Sequence, residues 1–113
     1  MSDAELRKKR ATAKTAFTRA RKNLEDSIDR ESLARTVERK FDEFKLAWKE
    51  AQRCHERYVT ALDDVDTATG EESWMDELDE IYNSIENRTD KYLDHLERKQ
   101  VDEVKSLLDH FNL

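Results

Sequence analysis

Between residues 34 and 65 the apolar positions fall at intervals of three and four without a break. Ala34, Val37, Phe41, Phe44, Trp48, Ala51, His55, Tyr58, Leu62 and Val65 form this series. It is the heptad seam of a helix that packs along one side. The residues between are mostly Lys, Arg, Glu and Asp. The spacing predicts one helix over about 31–65, roughly 50 Å long at ~1.5 Å per residue. Thr67, Ala68, Thr69 and Gly70 break the pattern, and Gly70 can take a positive φ after a helix end. Ser73 then offers an N-cap, with acids in the turn that follows. Trp74, Leu78, Ile81, Ile85, Tyr92 and Leu96 keep helical spacing, and Val101, Val104, Leu108 and Phe111 form a shifted seam. Together they predict a second long helix over about 73–110, with a stutter or kink near 97–101. Upstream, Leu6, Ala13, Phe17, Ala20, Leu24 and Ile28 mark a narrower stripe and predict a helix over about 3–28. The turn at Ser27–Ser32 has no Gly or Pro, so these two helices either fold back or run on as one.

The expected fold is all-α: three long antiparallel helices in a coiled-coil-like bundle, one domain over 1–113. If the first helix folds back at residue 29, its start lies beside residues near 55, and the hairpin of the other two continues past it. Tyr58, Leu62, Val65, Trp74, Leu78 and Ile81 would then be covered only by each other. Aromatic side chains at such a two-helix tip would stay partly exposed, which makes the tip the expected interaction surface.

Composition supports the helical reading: there is no Pro, a single Gly, and 42% of residues are charged. Nearly every device for sheet turns is missing. The net charge of −6 is unevenly spread. Residues 1–25 carry eight Lys and Arg against three acids, whereas residues 63–80 carry nine acids and no Lys or Arg. The tip would therefore be acidic and the first helix basic. Arg7, Lys8, Lys9, Arg10 and Lys14 are the candidate phosphate contacts. In the stretch KTAFTRARKNL, however, Phe17 sits on the apolar stripe with Ala13, Ala20 and Leu24. A bundle helix with wet basic flanks is the first expectation there, and weak RNA binding the second.

Little in the sequence points to catalysis. His55 lies on the seam, and its neighbours at helical spacing are Ala51, Gln52, Tyr58 and Val59, so a packed His is expected. Burial should hold its pKa below the ordinary value. Cys54 and His55 are consecutive and point about 100° apart on a helix, which is no nucleophile–base pair. Asp64, Asp66 and Gly70 resemble a calcium loop, but the sixth position is Thr69 and the twelfth Met75. No phosphate-cradling or metal-binding motif occurs. No enzyme activity, cofactor, metal or small-molecule substrate is expected. Asn87-Arg88-Thr89 is a formal glycosylation sequon on what should be a helix surface. The single Cys and the absence of a signal-like or membrane-length apolar run suggest a reducing, cytoplasmic setting away from membranes.

Several short elements resemble a known family. They are KRATAKTAFTR at 9–19, Leu24 and Ile28, then Phe44, Trp48 and His55-Glu56-Arg57-Tyr58, then an acidic stretch before Trp74 and Tyr82. This string resembles the N-terminal helical region of Gag-like polyproteins from BEL/Pao-type retrotransposons, over roughly residues 7–95. The resemblance implies a structural, self-associating role, either in a polyprotein or in a host protein derived from one, and it assigns no catalytic residues. A homo-oligomer, with a dimer favoured, is the expectation. A partner helix at the tip and RNA at the basic helix are the alternatives. Spectrin-like repeats share the length and the core Trp as a fold-level analogy.

Overall fold

The computed structural model describes residues 2–111. The described chain is helical almost throughout. α1 spans Asp3–Asp29, α2 Ala34–Ala61, α3 Val65–Gly70 and α4 Glu72–His110. Ser2 caps α1 by accepting a hydrogen bond from the Glu5 amide at 3.2 Å, and Asp3 and Glu5 complement the positive end of the helix.

α1 folds back rather than running on into α2. The Glu31 amide donates to the Ile28 carbonyl and the Ser32 amide to the Ser27 carbonyl, both at 3.0 Å. The reversal uses a left-handed backbone at Glu31, with φ 55°. An L-residue rarely takes this conformation, and here it does the work of the missing glycine.

The second helix is shorter than its heptad. It ends at Ala61 because Leu62 turns extended, with ψ 127°. Val65, the last member of the seam, opens α3 and is 77% exposed. Asp64 caps α3 by accepting from the Asp66 amide at 3.0 Å and the Thr67 hydroxyl at 2.8 Å. Gly70 does not take the positive φ expected of it. It closes α3 as an ordinary helical residue, and a Cβ there would meet nothing within 4 Å. Ser73 lies inside α4, whose N-cap is Glu71 without a side-chain cap bond. α4 passes through residues 97–101 without interruption.

The core is the expected set of stripes. Phe17, Leu24, Val37, Phe44 and Leu78 are fully buried, each contributing about 1.5–3 kcal/mol by leaving water. Phe17 and Phe44 bring their rings to 4.9 Å, Phe44 and Tyr82 to 5.5 Å, and Trp48 stacks on Tyr82 at 4.0 Å. Polar links fix α4 on the hairpin. The Trp48 indole donates to Asp79 at 2.8 Å, and Arg88 pairs with Glu25 and Asp29 of α1. The Tyr92 hydroxyl donates to the Ser32 carbonyl at 2.6 Å. This last bond places residue 92 at the level of the α1–α2 turn, so the rest of α4 runs beyond it. The molecule is a rod of 73 × 20 × 17 Å.

Candidate functional site

The tip expected to be bare is closed by α1. Leu6 lies in a shallow groove with Thr60 and Ala61, so α1 reaches the last turn of α2. Arg10 enters the space between α2 and α4. Its side chain is 6% exposed, and it donates to Glu71 at 3.0 Å and to His55 Nδ1 at 3.2 Å. The guanidinium also lies over two aromatic faces, 4.4 Å from the Tyr58 ring centre and 4.6 Å from that of Trp74. Trp74 in turn stacks on His55 at 5.3 Å. The residues expected at the tip thus divide. Tyr58 and Leu78 are buried, Leu62, Trp74 and Ile81 are half-buried, and Val65 alone is open to solvent. Of these six, Tyr58 and Trp74 meet at Arg10, while Val65 lies outside the packed surface.

The same arrangement changes the reading of the basic start. Arg7, Lys8 and Lys9 are exposed, and Lys14 is half-buried with its ammonium 6.0 Å from the Trp74 ring centre. Arg10 is internal and cannot meet a phosphate. The sequence carries a signal for this that composition hides. Leu6, Arg10, Ala13, Phe17, Ala20 and Leu24 are spaced 4, 3, 4, 3 and 4, so Arg10 occupies a position on the apolar stripe.

A guanidinium only donates, so Nδ1 of His55 must accept and the neutral ring carries its proton on Nε2. Burial lowers the His55 pKa below the ordinary 6.5, and the Arg10 charge lowers it further. Glu71, Glu56 and Asp76 pull the other way without reversing the shift. The partner of the His is therefore Arg10 of α1. Among the described residues, no buried side-chain nitrogen or oxygen lacks a partner. Cys54 is half-buried, and burial followed by its bond to Glu50 pushes the thiol pKa up. Among the described residues, no group of three or more His, Cys, Asp and Glu is placed to hold a metal, and no helix is long and apolar enough to cross a membrane.

The exposed apolar surface lies at the opposite end. Beyond Leu96, α4 has left the bundle, and all of residues 97–111 are exposed. Val101, Val104, Leu107, Leu108 and Phe111 are 60, 52, 58, 46 and 65% exposed. They recur at three and four residues and so lie along one side of the projecting helix. No protein-family model, curated protein or solved structure matches the chain.

Proposed function

We propose that this chain is a non-enzymatic structural module that self-associates through the projecting end of α4. The exposed stripe from Val101 to Phe111 carries this reading. An isolated helix of about 15 residues is marginal in water and gains its stability from packing an apolar face. Fully burying a Val, Leu or Phe side chain contributes about 1.5–3 kcal/mol, so five half-exposed ones put several kcal/mol behind association. The self-association implied by the Gag-like resemblance agrees with this reading.

Sedimentation velocity from low to high micromolar concentration is the test. Wild type should shift to larger species as concentration rises, and V104D combined with L108D should remain monomeric. A strict wild-type monomer at high micromolar concentration would refute the reading.

The exposed run Arg7, Lys8, Lys9 favours a second reading, weak RNA binding. Three phosphate contacts on a single strand give a log–log salt slope of about −2. Binding that survives replacement of all three by Ala would remove α1 as its site.

A further inference from the structure

An apolar stripe needs a surface to lie on, and α1 and α2 leave one open. A groove of about 570 Å³ runs between them, lined by α1 and α2 residues alone. That volume lies within the range of sites that accept side chains of a ligand, roughly 300–1,000 Å³. Its floor includes Leu6, Ala13 and Ala16, and small floor residues let a helix approach closely. Four cations (Lys8, Lys9, Arg53, Arg57) stand on it against two acids (Glu5, Glu50). One of the four is already engaged, since Arg53 pairs with Glu50 at 2.6 Å.

The projecting stripe has the opposite balance. Residues 101–111 carry Asp102, Glu103 and Asp109 against Lys105. Two such ends pairing with one another would bring like net charges together. They would also span only about two heptads, below the three or four that mark a sustained coiled coil. The groove offers the projecting end both an apolar floor and complementary charge. The two features cannot meet within one molecule. α4 leaves the bundle beside Ser32, held there by Tyr92, and points away from it. The groove lies along the first turns of α1 and the last turns of α2, roughly 30 Å back at ~1.5 Å per residue.

Resting on the self-association reading, we infer that the α1–α2 groove near Ala13 and Ala16 receives the α4 end of a second copy of this chain. The helix lies in the groove as an added fourth helix, with Val101, Val104, Leu108 and Phe111 toward the floor. A pair joined in this way keeps one free end and one free groove. A head-to-tail contact of this kind builds open chains or rings rather than stopping at a two-fold dimer.

Two double variants at exposed positions test the pairing. V104D/L108D removes the stripe and keeps the groove. A16E/R57E blocks the groove and reverses part of its charge while keeping the stripe. Circular dichroism checks that both remain helical. In sedimentation velocity, wild type should pass beyond dimer with concentration, and each variant alone should lose all species above monomer. An equimolar mixture of the two should form a one-to-one heterodimer and grow no further, since one contact remains possible. If A16E/R57E associates like wild type while V104D/L108D does not, the α4 end associates but not in this groove, and the inference fails alone. A mixture without heterodimer overturns it as well. A wild type that stays monomeric overturns both the inference and the reading beneath it.

Discussion

Replacing Arg10 by Ala should unfold this protein far more readily than replacing any other cation of the basic start. As a surface arginine, Arg10 would be worth almost nothing, since exposed substitutions away from special features stay within about ±0.5 kcal/mol. Its surroundings say otherwise. The side chain is 6% exposed, and its partner Glu71 is 25% exposed. A hydrogen bond to a charged group contributes about 1.5–3 kcal/mol, and the bond to neutral His55 about 1. Cation–π contacts with Tyr58 and Trp74, partly desolvated, add about 0.5–2 kcal/mol each. The full sum overstates the loss, because burying the guanidinium is itself costly and Glu71 can turn to water. Removing one partner of a buried pair typically destabilises by about 3–5 kcal/mol, and the lower half of that range applies with a partner that is part-exposed. For a chain of this size, roughly 3 kcal/mol lowers Tm by about 12 °C. Arg10→Met isolates the charge from the bulk. It keeps most of the packing and should lose about 1–2 kcal/mol, largely from the orphaned His55 nitrogen. Urea denaturation of wild type, R10A, R10M and the exposed control R7A provides the comparison. If R10A and R7A both lie within about 0.5 kcal/mol of wild type, the guanidinium is in water and the closed end described here does not exist.

The remaining predictions concern single positions. With its pKa lowered mainly by burial, His55 takes up a proton later than the unfolded chain does. Stability is therefore fully present above the unfolded value of about 6.5 and is lost as pH falls from there toward the folded value. H55L should flatten that dependence, and an NMR titration placing the ring above 6.5 would contradict it. Glu31 holds φ 55°, a conformation that costs an L-residue about 1–2 kcal/mol, so E31G should stabilise by about 0.5–1 kcal/mol after glycine's larger unfolded-state entropy is offset. A lower urea midpoint for E31G would count against the turn geometry. Cys54, half-buried with a raised thiol pKa, should react with a disulfide reagent at neutral pH at least several-fold more slowly than an unfolded control, because the thiolate is the reacting form. Equal rates would place the thiol in open solvent.

The core was legible because its residues obey a period that only one secondary structure satisfies. Phe17, Leu24, Val37 and Phe44 are buried where the intervals of three and four put them. Periodicity says which side of a helix is inside, but not where the helix stops. The seam ran on to Val65, and nothing in the spacing marked the extended Leu62 that ends α2 at Ala61. The cap of α3 at Asp64 was visible in sequence only as an imperfect metal loop. Glycine often ends helices, which points to Gly70, whereas the reversal that needs a positive φ falls on Glu31, a residue type with no such preference. The residue type of Arg10 points to solvent, whereas its position on the stripe points inward. Its partners come from α2 and from the segment before α4, 45 and 61 residues away, and no local pattern joins them.

Which end of the rod is open follows from helix lengths once α2 is known to stop at Ala61. α1 has 27 residues and α2 has 28, so the hairpin is nearly flush at both ends. α4 has 39 residues against the 28 of α2, and the 18 that follow Tyr92 form an excess of about 27 Å at ~1.5 Å per residue. Its start cannot slide past the hairpin, because Glu71 is tied to Arg10 and Trp74 lies against His55. The whole excess must therefore emerge beside the α1–α2 turn, past the bond from Tyr92 to Ser32. The polar network that closes one end is thus what pushes the apolar stripe out of the other. Shifting α4 along its axis to cover Val101 would pull Trp74 off His55 and leave the Arg10 charge buried without its acid. A buried ion with fixed partners serves as a register pin even where its net contribution to stability is small. Weakening that pin with R10M should therefore loosen α4 along its length. Hydrogen exchange would show it as faster exchange at residues 74–85 with no change at Phe17 or Leu24. Uniform acceleration across α1 and α4 would instead mean that Arg10 supports the bundle as a whole and does not set the register.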